Sequence, residues 1–213
     1  MLIRYYDHAC FTVETSDATL IVFDPYDEKV GYPLPVLNPD IVLSSHSHMD
    51  HANVNLFPKA GHVISTTGVF IPKKGIQVTG FPSYHDDSQG GLRGPNIIYR
   101  LLTEGLSIVH LGDLGHMPSN ALVDQIGRPD VLMIPVGGFY TIDADRAFAI
   151  IRQMKPKVII PMHYKTAANP ASPMVGIDDF LALTGLTPSY VSILRLTHDD
   201  IACLPTIVLM QRI

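Results

Sequence analysis

Residues 46–51 read His46-Ser47-His48-Met49-Asp50-His51, directly after the apolar run Ile41-Val42-Leu43. Four metal-capable side chains in six positions constrain this chain more than any other feature. On an extended or tightly turning segment, residues two apart face the same way, so the imidazoles of His46 and His48 reach one ion together. Asp50 and His51 fall where the chain turns into its next element, placed to reach a second ion beside the first. The bland alternative is a polar loop that happens to be rich in histidine. With ten histidines among 213 residues, chance seldom packs four donors this closely behind an apolar strand, which is where such a site belongs.

The remaining donors are expected from distant parts of the chain. His85 follows the strand-like Gln77-Val78-Thr79-Gly80-Phe81, Asp113 follows Ser107-Ile108-Val109-His110, and His163 follows Val158-Ile159-Ile160. Each sits where a β-type run gives out into a loop with Gly or Pro, and layered α/β folds build their sites on such loops. A lone histidine at a strand end is more often a surface or capping residue, but three such residues joined to the 46–51 cluster favour a shared site. His8, His62, His110 and His198 lack a matching context, and His110, alternating with apolar neighbours, reads as a satisfied core histidine.

Short β-like runs open the chain at Ile3–Tyr6, Phe11–Glu14 and Leu20–Phe23, followed by a Pro-rich loop from Pro33 to Pro39 long enough to border a cleft. Further strands are expected at His62–Ser65, Ile76–Thr79, Asn96–Leu102, Leu106–Leu111, Val131–Pro135, Val158–Pro161, Val191–Leu196 and Thr206–Met210. Asp143–Met154 reads as a helix, with acidic residues at its start and one apolar face at 147, 148, 150, 151 and 154. Pro118–Ile126 and Ile177–Leu183 are shorter helix candidates. Two batches of strands, each followed by helix, predict an α/β fold of two β-layers faced by helices, with no linker or repeat dividing residues 1–213.

A chain that is 46% hydrophobic and 16% charged buries a sizeable core without disulfides. Cys10 and Cys203 are too few for a disulfide scaffold and fit no metal pattern. The net charge of −5, with Lys and Arg scattered, leaves no footprint for nucleic acid. No apolar run approaches the roughly 20 residues of a membrane span. Met1–Asp7 lacks the basic-then-apolar signature of a signal peptide, so a cytoplasmic location is expected.

The order His-x-His-x-Asp-His, a later His, a Gly-Asp after a strand and a final His resembles the metallo-β-lactamase fold superfamily. Phe23-Asp24-Pro25, Gly112-Asp113-Leu114-Gly115-His116 and Ile160-Pro161-Met162-His163-Tyr164 extend the likeness to small metal-dependent hydrolases related to ascorbate-6-phosphate lactonases. The resemblance implies a four-layer αββα sandwich of two mixed sheets. It also implies two divalent ions, zinc or else manganese. His46, His48 and His85 would hold the first ion, Asp50, His51 and His163 the second, and Asp113 would bridge them. Ions about 3.5–4 Å apart would then share a nucleophilic hydroxide. His48 stands where oxygen-reducing diiron relatives carry Glu, and Asp113 where many true β-lactamases carry Cys. Both departures argue against those chemistries.

Outside that set, His116 follows Asp113 by three positions and is a candidate to steady an oxyanion or protonate a leaving oxygen; a loop histidine that only hydrogen-bonds Asp113 is the alternative. Asp24 is either a carboxylate that orients a ligand imidazole or a turn residue before Pro25. Arg93, in the Gly-rich stretch after His85, is a candidate anchor for an anionic group, and Tyr140 and Tyr164 are candidate hydroxyl donors. Asp50, Asp113 and His116 are thus the expected catalytic residues of a hydrolase acting on a small ester, lactone or phosphoester. A phosphodiesterase or nuclease of the same fold, or a non-catalytic metal-binding sensor, is the alternative. The expected partner is a small-molecule substrate, with no nucleic acid and no membrane, and the oligomeric state stays open.

Overall fold

The computed structural model describes residues 1–204 and 206–213. Its strands are β1 (Leu2–Tyr5), β2 (Phe11–Glu14), β3 (Leu20–Phe23), β4 (Ile41–Leu43), β5 (His62–Ile64), β6 (Gly68–Lys73), β7 (Ile76–Tyr84), β8 (Pro95–Thr103), β9 (Leu106–His110), β10 (Val131–Pro135), β11 (Val158–Met162), β12 (Ser189–Val191), β13 (Ile193–Arg195) and β14 (Val208–Met210). The helices are α1 (Asn120–Ile126), α2 (Ala144–Met154) and α3 (Asp178–Thr184). One six-stranded sheet has the order β13-β1-β2-β3-β4-β5 and the other β11-β10-β9-β8-β7-β6; β12 and β14 form a small parallel pair. Both large sheets are mixed: β3, β4 and β5 run parallel, as do β9, β10 and β11, and their other pairings are antiparallel.

Period-two alternation explains how strands that are apolar throughout serve two layers. Ile21 and Phe23 of β3, with Tyr99 and Leu101 of β8 and Ile160 and Met162 of β11, point between the sheets into one continuous core. Their neighbours Ile98, Val109, Leu132, Ile134 and Ile159 point outward, where Val123 and Ile126 of α1, Ala147, Ile150 and Met154 of α2, and Phe180 of α3 cover them. Each large side chain fully buried here contributes roughly 1.5–3 kcal/mol. The Asp143 carboxylate caps α2 by accepting the Arg146 N–H at 2.9 Å.

Three expectations change. The outer face of the other sheet, Val22 and Val42 among it, is covered by Tyr26, Tyr32 and Phe57 with Leu34, Leu37 and Val54 beside them. These lie on loops and single 3-10 turns, so that fourth layer is not α-helical. The run expected as one strand at Val191–Leu196 splits into β12 and β13, which belong to different sheets. An unexpected edge strand, β6, carries Pro72 and an irregular register between Phe70 and Lys73, with Val69 and Ile71 exposed. Proline and a broken register are what an edge tolerates, and they hide the strand from a pattern reading.

The registers bring the carboxyl ends of β1, β3, β4, β7, β9, β10 and β11 to one end of the sandwich. The sheets are tied together there: Ile97 N donates to Ser45 O at 2.9 Å, and the Tyr99 hydroxyl reaches Ser44 O and Ile64 O. Beyond β10 and β11 the pairing continues as Gly137 N donates to His163 O at 3.1 Å. A side chain at Gly137 would overlap His163 O and crowd Tyr164 Cα. Gly137→Ala is therefore expected to cost about 1–3 kcal/mol through overpacking, whereas Gly176→Ala, with nothing near its added carbon, melts like the parent. Thermal melts of the two variants check this.

Candidate metal centre

Four loops deliver these polar side chains to this end. His46, His48, Asp50 and His51 leave β4, His85 leaves β7, Asp113 leaves β9 and His163 leaves β11. The donor atoms of His46, His48 and His85 lie within 4.8 Å of one another, as do those of His8, Asp50, His51 and His163. A third group, His46, His51 and Asp113, joins the first two. Asp113 stands at the centre: His51 Nε2 lies 3.2 Å from its Oδ1, while His85 and His163 Nε2 lie 3.2 and 3.3 Å from Oδ2. His46 Nε2 is 3.9 Å from the same oxygen.

All these residues are buried except His48, which is exposed, and Asp50, which is half-buried. Buried polar atoms nearly always find partners. Yet His46 Nε2 is buried without a hydrogen bond, and His51 Nε2 and Asp113 Oδ1, 3.2 Å apart, face only each other in poor hydrogen-bond geometry. Such atoms converging on one point fit cation coordination, and the donors are imidazole nitrogens and carboxylate oxygens. Cys10 and Cys203 are free and lie outside all three groups.

Charge follows from this packing. Burial would raise the Asp113 carboxyl, but the imidazoles of His163 and His51 outweigh it and hold the group well below the usual carboxylate range. Burial, reinforced by His51, pushes His46 down to about 3. His51 is pulled the other way: burial disfavours its charge, yet the carboxylates of Asp113 and Asp24 raise it well above the ordinary histidine value.

Asp24, fully buried, accepts the Ser45 N–H and hydroxyl at 2.7 Å each and lies 2.8 Å from His51 Nδ1. The other nitrogen of that ring, Nε2, faces Asp113. His110 is indeed satisfied, with Nε2 on Ala9 O at 2.9 Å and Nδ1 accepting the Gly112 N–H. His116 does not bond Asp113. Its Nε2 accepts the Tyr84 N–H at 3.2 Å and its Nδ1 donates to Met117 O at 2.9 Å. Gly115 N donates to Tyr84 O at 3.0 Å, and a side chain on Gly115 would overlap the His85–Asp86 peptide. The 115–116 segment thus braces the strand end that presents His85. Arg93 lies over the ring of Tyr140 at 4.5 Å. Tyr164 is half-buried, and burial followed by the Asp7 charge pushes its hydroxyl up to about 12.

Three contributors escaped the sequence reading. His8 was set aside as lacking context, but its Nε2 lies 3.1 Å from Asp50 Oδ2 and its ring packs 4.2 Å from that of His163. The signal was there, since His8 follows a strand end as His85 and His163 do. Asn96 donates to Leu111 O and Ser83 Oγ and accepts the Asp113 N–H at 2.9 Å, fixing the Asp113 turn. Asp86 gathers the N–H groups of Ser88, Gly90, Leu92 and Arg93 at 2.7–3.0 Å and shapes the loop after His85. An Asp ahead of Ser-x-Gly-Gly is its sequence signature.

A family description for the β-lactamase superfamily domain matches residues 2–163. UPF0173 metal-dependent hydrolases of Thermoplasma volcanium and Thermoplasma acidophilum are each 30% identical to this chain. The first match covers 77% of this chain and 83% of the relative, the second 90% and 94%. A Thermotoga maritima structure, described as a candidate Zn-dependent hydrolase of the metallo-β-lactamase superfamily, is 36% identical with a TM-score of 0.81. That likeness covers 98% of this chain and 97% of the other. With two mixed sheets and a histidine-rich strand-end site in place, the chain belongs to the metallo-β-lactamase superfamily as a metal-dependent hydrolase.

Proposed function

We propose that this protein hydrolyses a small, uncharged ester or lactone at a centre of two divalent ions. The observation that carries the reading is the convergence of two donor groups on one buried carboxylate, with His46 Nε2 left without a hydrogen bond beside it. In this reading His46, His48 and His85 hold one ion, Asp50, His51 and His163 the other, and Asp113 lies between them. Nitrogen-rich donors suit zinc, with manganese as the second candidate. Ions held there would supply Lewis acidity and a water acidic enough to ionise near neutral pH.

The chain's own residues do the rest. Asp24 holds the His51 ring in one orientation. Burial of His51, His85, Asp113 and His163 excludes bulk water, so charges inside the site act at full strength. Burial works against the Asp50 charge, but the His8 hydrogen bond and His51 prevail and hold the carboxyl well below its usual range. Asp50 is therefore an ionised donor and not a source of protons. His116, with both ring nitrogens on backbone groups, positions Tyr84 and His85 and does not protonate a leaving group.

The substrate class follows from the cavity beside the site. A space of about 470 Å3 is lined by His46, Val54, Val63, Pro82, Tyr84 and Ile97 among others, and none of its described lining residues is Lys, Arg, Asp or Glu. Such a wall suits an apolar acyl portion and offers a charged group no ion pair away from the ions. The Arg93 guanidinium is already stacked on Tyr140. On this ground the ester and lactone reading is preferred to phosphoesters and nucleic acid.

Protein reconstituted with zinc or manganese is expected to hold about two ions per chain in nitrogen and oxygen coordination. Elemental analysis and X-ray absorption check this, and a sulfur ligand would count against it. Such protein should turn over uncharged esters or lactones in a substrate panel; activity confined to phosphodiesters would overturn the substrate class. Asp113→Ala should abolish turnover and weaken metal binding while leaving a cooperative melt. His116→Ala should keep both ions and lose about tenfold or less in kcat, equally for esters with basic and with activated leaving groups, because no proton donation is lost. A defect confined to basic leaving groups would restore His116 as the proton donor.

A further inference from the structure

The turn after β1 contributes a histidine that the ligand set above does not use. His8 is 6% exposed, and Asp7 and His8 both take up left-handed backbone, φ 75° and 59°. A side chain in that region is strained and persists only where its surroundings hold it. Here they do so on three sides. The His8 carbonyl accepts the His163 N–H at 2.9 Å, and the Tyr5 hydroxyl at 3.2 Å. The Asp7 carboxylate is paired with Arg212 Nε at 2.7 Å, and Arg212 also donates to Pro33 O. The ring packs against those of His163 and His51, with centroids 4.2 and 4.9 Å away.

The consequence falls on Asp50. That carboxylate is half-buried, and His8 Nε2 lies within hydrogen-bond distance of its Oδ2 at 3.1 Å. A carboxylate on a loop turns freely unless one oxygen is tethered. We propose that His8 is a positioning residue: it donates through Nε2 to Asp50 Oδ2, and its backbone carbonyl anchors His163, so that the donor group of Asp50, His51 and His163 is set before an ion arrives. The inference rests on the two-ion reading above. Partners that orient a ligand in this way typically change metal affinity by about 10–100-fold when removed.

The test is calorimetric titration of metal-free protein with zinc, comparing parent, Asp50→Ala, His8→Asn and His8→Gln. Asparagine tolerates left-handed backbone, so His8→Asn keeps the turn while its short amide no longer reaches Asp50. Glutamine places an amide nitrogen where Nε2 stood. Asp50→Ala identifies which binding step belongs to the Asp50 group. His8→Asn should weaken that step by about 10–100-fold and leave the other within about twofold, while His8→Gln recovers most of the loss. Thermal melts show that each variant is folded. His8→Asn binding both ions as the parent does would overturn the proposal. So would His8→Gln as weak as His8→Asn, since the imidazole would then be a direct ligand. If the parent binds one ion only, the two-ion reading fails, and the role of His8 stands only if His8→Asn weakens that ion.

Discussion

The arrangement of the site turns on one buried carboxylate, although the apolar core of the two sheets does not include it. Asp113 is 1% exposed, and taking an ionised carboxylate out of water costs several kcal/mol unless it is paired. Imidazoles from the loops after β4, β7 and β11 surround it at 3.2–3.9 Å. No two of those loops are adjacent in sequence. The carboxylate can be buried only if both sheets deliver their strand ends to the same place, so the site and the packing of the two sheets are one requirement. A divalent cation satisfies the same requirement from the other side, because it draws its ligands together as it neutralises them.

Several residues at this end hold left-handed backbone. Asp7, His8, Asp24 and His163 all have positive φ between 45° and 75°, and each lies on a loop at the site. Conformations of this kind cost on the order of 1–3 kcal/mol apiece and survive only where neighbours over-determine them. The neighbours are visible: Asp24 is held by Ser45 and His51, and His8 and His163 are joined through backbone and stacked rings. The two-sheet core absorbs that cost, leaving strands free to be regular and loops free to be shaped by the donors they carry.

Much of this was legible in the chain. The 46–51 spacing marks a metal-capable loop because two-residue periodicity on an extended segment puts alternate imidazoles on one face. The strand-end positions of His85, Asp113 and His163 marked the loops that join it. The helix at 144–154 was readable from the acidic residues at its start and its apolar face. By contrast, β6 was not, since an edge strand with Pro72 and outward Val69 and Ile71 has no burial pattern to read. The residues 191–196 looked like one strand because an apolar run does not show that a chain changes sheets midway. Where His116 points was not legible, because sequence distance from Asp113 says nothing of which way its ring turns; both its nitrogens meet backbone groups.

By itself, then, the amino-acid sequence determined the chemical inventory and the period of each element: which donors exist, which are oxygen or nitrogen, and which runs are buried. These are local properties, set by side-chain type and by spacings of two or four residues. Tertiary structure alone decided the partnerships. Asp24 meeting His51, Asn96 fixing Asp113, His8 reaching Asp50 across 42 positions, and loops standing where a helical layer was expected all follow from sheet order and register. Those depend on which strands pair across the whole chain, and no local spacing encodes that choice.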